Sequence, residues 1–244
     1  MNLDGKKNIL NSNFIKICAC FFMLVDHIGA FLFPSVAILR VLGRIAFPIF
    51  AFFISQGCKY SKNKIKRIVS IGGLAILCEL IFNFGLNMLE GNILLTFTFS
   101  ILLIYLYKYM IKTMKNKNDN IFTKILFVVL FFTFLIEVYL LSSFIGVDYG
   151  FFGVITPLFV TVFDKDTYIE SSNHSFINHL FKILGLFIGM TLVILNSSFI
   201  QFFSYLSILL LLFYNNKKGK YNIKYLFYVF YPLHLLIIYF ITLI

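Results

Sequence analysis

Apolar residues fill this chain in long blocks separated by short polar ones, at 14–33, 36–58, 67–86, 93–112, 121–142, 144–163, 176–195, 199–214 and 223–243. Blocks of this length cross roughly 30 Å of hydrocarbon at ~1.5 Å per residue. The pattern predicts an all-α, polytopic transmembrane helical bundle of about nine spans, folded as a single integral membrane domain over 1–244. The block at 144–163 is expected to be broken or re-entrant, because Asp148-Tyr149-Gly150 and Thr156-Pro157 interrupt it.

Composition supports this reading and excludes a soluble globule. Of 244 residues 60% are hydrophobic and 33 are Phe, only 13% are charged, and the mean hydropathy is +0.92. Soluble domains carry about 25% charge. The N-terminal MNLDGKKNILNSN has a basic flank, but the following apolar run outlasts a signal peptide and has no small-residue cleavage site before Asp26. It is therefore read as the first span.

The formal net charge of +11 does not point to nucleic acid, because the basic residues lie in short blocks between spans. Lys6 and Lys7, the block Lys59, Lys62, Lys64, Lys66 and Arg67, the group from Lys108 to Lys124, and Lys217 to Lys224 all fall on one side of the predicted bundle. That side is cytoplasmic by the positive-inside rule, which puts the N-terminus in the cytoplasm. The opposite connections carry one formal charge, Glu90. The acidic connection DKDTYIESSNHS also falls on the cytoplasmic side, and acidic residues weigh little in that rule. Cys18, Cys20, Cys58 and Cys78 have no paired metal-ligand spacing and read as small core residues, so no metal is expected. There is no P-loop, nucleotide-binding glycine fingerprint, HExxH or nucleophile elbow.

The informative residues are the polar ones inside the spans. Asp26 sits roughly 10 Å below the turn at Phe33-Pro34-Ser35, and Arg40 and Arg44 lie roughly 9 and 15 Å below it on the following span. Arg40 and Arg44 are one turn apart and share a face. Glu79 and Asn83 on the third span, Glu137, Asp148 and His234 also fall in the outer half. This convergence predicts a polar site open to the extracytoplasmic side.

Each residue also has a plainer reading. Asp26 with Arg44 also reads as a structural ion pair, the weaker of its two readings, Arg40 as a snorkelling side chain, and His27 or His234 as a satisfied core histidine. Glu137 and Asp148 read as solvated helix ends. Pro48, four residues beyond Arg44, is expected to kink the second span and free a backbone carbonyl at the floor of the site. Gly43, Ala46 and Ala51 suit close helix contact.

LVDHIG at 24–29, LRVLGRIAFPIFAFFISQG at 39–57 and YVFYPLHLLIIYF at 228–240 resemble the TraX family of polytopic membrane proteins, in order and over nearly the whole chain. The family motif falls on Asp26, His27, Gly43, Arg44, Ala46, Phe47, Pro48 and Phe50, with Tyr231 and His234 in the terminal segment. The resemblance implies acyl transfer, with acetyl-CoA as donor and an acceptor such as the N-terminus of a pilin-like membrane peptide. The place implied is the bacterial cytoplasmic membrane, with the lipid bilayer as partner.

On that basis His27, Asp26, Arg44, Glu79 and His234 are the candidate catalytic residues, and Arg40, Asn83, Pro48 and Tyr231 the candidate substrate-binding ones. Lys59, Lys62, Lys64 and Arg67 are candidates for the phosphates of the donor, beside their plainer role as a topology anchor. His27 is expected as general base, with Asp26 orienting it or pairing with Arg44. The alternative function is a non-enzymatic membrane assembly factor for a pilus or secretion component. A third reading is a small-solute or lipid transporter.

Overall fold

A computed structural model describes residues 10–86, 92–168, 175–221 and 223–243. The described residues are helical throughout, apart from turns and an isolated parallel bridge between Leu10 and Tyr214. The helices are α1 (Ser12–Phe31), α2 (Ala37–Gly43), α3 (Ala46–Tyr60), α4 (Lys64–Leu86), α5 (Ile93–Lys115), α6 (Ile121–Ile145), α7 (Gly150–Val162), α8 (Ser175–Leu195), α9 (Leu206–Leu212) and α10 (Lys224–Thr242). A 3-10 segment, Phe199–Tyr205, runs directly into α9.

Among the described residues five helical stretches are long and apolar enough to cross a membrane: Ser12–Phe31, Ala37–Tyr60, Ile93–Lys115, Ile121–Ile145 and Phe176–Leu195. Shorter apolar helices cover Gly150–Val162, Phe199–Leu212 and Leu226–Thr242. The block expected at 144–163 is thus a helix of 13 residues, about 20 Å long and short of a full crossing. The reason is local. Gly146 closes α6 in the left-handed conformation, and Tyr149 and Gly150 also have positive φ, so the chain turns before it can wind again.

The second expected span is also divided. Pro48, in the first turn of α3, has no N–H to give the Arg44 carbonyl four residues back, and its ring crowds that carbonyl. The winding tightens there, with Ile45 N donating to Leu42 O at 3.2 Å, and α3 restarts at Ala46.

Contacts divide the chain into two compact units, 1–50 with 194–244, and 51–193. In the first, α1 packs against α2 and α10, and α2 packs against the 3-10 segment. Backbone bonds from Leu10 N to Phe213 O (3.2 Å), Asn215 N to Leu10 O (2.9 Å) and Ser12 N to Lys217 O (3.0 Å) tie the start of α1 to the loop before α10. Gly43 permits the close approach of α1 and α2, since a Cβ there would strike the Asp26 side chain.

In the second unit α5 is the central helix and packs against α4, α6 and α7. Gly185 and Gly189, one turn apart on α8, meet α7 closely, and a Cβ on either would press on the Phe159 carbonyl or the Thr156 backbone. Such small-residue spacing lets membrane helices pack backbone to backbone. α6 turns Ile125, Val129, Phe132, Ile136, Leu140 and Phe144 outward. An apolar outer face of that kind suits lipid.

Candidate functional site

The first unit gathers most of the motif. α1 carries Asp26 and His27 on consecutive positions, about 100° apart around the helix, and the two side chains go to different partners. Asp26 Oδ2 accepts from Arg40 Nη1 at 2.7 Å, and its Oδ1 accepts from Arg44 Nη2 at 2.7 Å. Arg40 Nη1 also donates to the Asp26 carbonyl at 3.0 Å. Arg44, at the end of α2, donates its Nε to the Arg40 carbonyl (3.3 Å) and its Nη1 to Gln201 Oε1 (3.4 Å). One carboxylate therefore joins two guanidinium groups.

His27 turns instead toward α10. Its Nδ1 lies 2.9 Å from Nε2 of His234, and the ring centroids are 4.9 Å apart. His234 Nδ1 lies 2.7 Å from the Phe230 carbonyl oxygen. That carbonyl is an acceptor only, so His234 Nδ1 carries a proton. In the neutral pair His234 Nε2 then accepts from His27 Nδ1–H, which assigns the remaining lone pair to His27 Nε2. Phe230 stacks on His234 at 4.8 Å, and Tyr231, itself buried, meets the same ring edge-on. The arrangement is a histidine whose tautomer is fixed by a second histidine, which a backbone carbonyl fixes in turn.

The other candidates, Glu79, Asn83 and the basic residues from Lys59 to Arg67, lie in the second unit. Glu79 Oε1 accepts from Asn92 N (2.6 Å) and Asn92 Nδ2 (2.8 Å). Asn92 is the N-cap of α5, its side chain accepting from Leu94 N and Leu95 N, so Glu79 ties α4 to the first turn of α5. Asn83 lies on α4, and its side chain falls outside the described residues. Glu137 and Asp148 are exposed.

Lys59 is paired with Asp164 at 2.8 Å and with Asp166. Asp164 is 2% exposed and also accepts from Asn178 Nδ2 at 2.8 Å. The acidic connection seen in the sequence therefore compensates the end of α3. Lys64 Nζ lies 4.4 Å from the Tyr109 ring centroid, Arg67 donates to the Ile54 carbonyl at 3.3 Å, and Lys62 is exposed. Lys182, buried on α8, donates to Gln56 Oε1 at 3.3 Å.

Motif reading missed Gln201, Gln56, Asn178, His179 and Lys182. Each is a polar residue in an apolar block, and that isolation is the signal that marks them. Gln201 is the most consequential, since it holds Arg44 from a separate segment.

Five apolar helical stretches of membrane length among the described residues, and a charged, histidine-bearing cluster within the first unit, define a helical membrane-type protein with a polar site. The chain belongs to the TraX family, whose model, described as TraX protein, matches residues 11–242. An uncharacterized protein of Rickettsia prowazekii (strain Madrid E) is 34% identical over 94 residues. That stretch is 38% of this chain and 36% of the relative, so the chain spans little more than a third of the relative it matches. No solved structure matches the chain.

Proposed function

We propose that the chain is a multi-pass acyltransferase of the bacterial cytoplasmic membrane, with its N-terminus inside, moving acetyl from acetyl-CoA to an amine or hydroxyl at the extracytoplasmic side. The observation that carries this reading is the His27–His234 pair, which leaves a lone pair on a nitrogen of assigned tautomer, His27 Nε2, inside an apolar unit. His27 Nε2 takes the proton of the acceptor as its nitrogen or oxygen bonds to the thioester carbonyl carbon. The C–S bond breaks, and the thiolate leaves and is protonated from His27, so one acetyl group and one proton change places.

Arg44, and Arg40 beside it, supply positive charge for the oxygen that gains electron density, a contribution of about 3 kcal/mol for one such contact. Asp26 holds both guanidinium groups in place. On the donor, the exposed cations Lys62 and Lys64 are open to phosphate, whereas the Lys59 ammonium is already compensated by two carboxylates. The bonds joining the start of α1 to the loop at 213–217 support the orientation, because they hold the start of α1 beside the basic run that begins at Lys217.

The test is thiol release from acetyl-CoA by the purified protein with membrane extract as acceptor. His27→Ala is expected to lower the rate by about 10²-fold or more with folding unchanged. His234→Gln, which keeps an acceptor near Nδ1 of His27, is expected to retain more activity than His234→Ala. Full turnover in His27→Ala removes the base assignment. Tight co-purification of a membrane peptide with no thioester cleavage favours the assembly-factor reading instead.

A further inference from the structure

The 3-10 segment Phe199–Tyr205 and the first turn of α9 carry three deeply buried polar side chains: Gln201 is 3% exposed, and Ser204 and Ser207 are 0% exposed. Residues three apart eclipse one another in a 3-10 helix. Gln201 and Ser204 therefore share a face, the one on which Gln201 Oε1 meets Arg44. Ser207, three residues on, continues that line into α9.

Several buried hydroxyls among the described residues are satisfied by the carbonyl four residues back. Ser100 Oγ bonds to Thr96 O at 2.9 Å, Thr156 Oγ1 to Phe152 O at 2.8 Å and Thr161 Oγ1 to Pro157 O at 3.2 Å. Ser204 Oγ and Ser207 Oγ have no such partner. The 3-10 winding takes the carbonyl four back out of line and commits backbone carbonyls to shorter-range bonds, as where Leu206 N donates to Phe203 O and Ser204 O. A buried hydroxyl left without a partner calls for an explanation, and a bound group is one.

We infer that Gln201, Ser204 and Ser207 form the acceptor subsite beside Arg44, and that it takes a neutral hydroxyl-bearing molecule of the saccharide or polyol class. This rests on the transferase reading and narrows it. Each serine hydroxyl both donates and accepts, which matches a sugar hydroxyl that does the same. The Arg44 guanidinium, bonded to Gln201, stands next to the subsite, and its like charge disfavours an acceptor that binds as an ammonium ion. In the step itself the acceptor O–H loses its proton to His27 Nε2, its oxygen bonds to the acetyl carbon, and the C–S bond of the thioester breaks to give the ester and free thiol.

The experiment uses the full chain in lipid nanodiscs with acetyl-CoA, and compares octyl β-glucoside with octylamine as acceptors at concentrations that leave the discs intact. Mass spectrometry reads the gain of one acetyl group on each. Octyl β-glucoside is expected to be favoured by about tenfold or more, and Ser204→Ala/Ser207→Ala to raise its KM by about tenfold with kcat changed less than about twofold. The ligand-free Tm of that variant is expected to stay equal or rise, since two unpartnered hydroxyls are gone. Preference for octylamine, or an unchanged KM, overturns the inference. Where no acceptor consumes the thioester the transferase reading fails, and the subsite is judged by melting alone. A Tm increase with octyl β-glucoside in the wild type that vanishes in the double variant sustains it, and an equal or absent increase overturns it.

Discussion

At the scale of single residues, Asp26 is the hinge between structure and chemistry. Sequence alone left it to serve His27, Arg44 or the fold, and its carboxylate is engaged with Arg40 and Arg44 while His27 is held by His234. Removing Asp26 leaves two guanidinium groups without their shared carboxylate. Asp26→Ala is therefore expected to destabilise the protein by about 3 kcal/mol, read as a fall in thermal midpoint in detergent. Asp26→Ala/Arg40→Ala should recover part of that loss, because one uncompensated charge goes with it. An unchanged midpoint in the single variant shows that water already solvates the cluster.

At the scale of elements, Pro48 and the 3-10 segment do comparable work. Both depart from the α-helix inside apolar blocks, and both departures lie next to Arg44. The break after Arg44 lets its side chain reach back to Arg40 O and across to Gln201. Pro48→Ala restores an N–H opposite the Arg44 carbonyl and removes the ring that crowds it. A local gain of up to about 3 kcal/mol in helix propensity is then set against the loss of this geometry. The expected outcome is a Tm that does not fall, with acyl transfer reduced by about tenfold or more. A variant that keeps full activity shows that Arg44 is positioned by its ion pair alone. The proline and its consequence were legible in the sequence. The 3-10 winding was not, because Phe199 to Leu212 reads as an ordinary apolar block and nothing in its residue types separates the two helix forms.

At the scale of the whole molecule, apolar length and basic loops make a joint prediction about sidedness. With the described helices taken in order, the loop at 116–120 should face the cytoplasm and Ser197 the outside. In a background with Cys18, Cys20, Cys58 and Cys78 replaced, Asn118→Cys should stay unlabelled by a membrane-impermeant thiol reagent in intact cells, while Ser197→Cys is labelled. The reverse pattern inverts the topology and moves the His27 site to the cytoplasmic half. The short α7, at 13 residues, makes this measurement decisive for everything that follows it in the chain.

Residue pattern was enough to show that the chain is helical and apolar, that its charges inside apolar segments are few, and that three of them, Asp26, Arg40 and Arg44, lie near the turn at Phe33-Pro34-Ser35. These properties follow from hydrophobic length and from the cost of burying charge, both of which are local. Only the tertiary structure decided the pairings. Asp26 meets Arg40 and Arg44 rather than His27, His27 meets His234 from 207 positions away, and Glu79 caps into Asn92. The physical reason is that a side chain's partner is set by how two helices rotate and approach, as Gly43 allows for α1 and α2. Periodicity fixes the face of one helix, and the face it meets is a property of the packed whole.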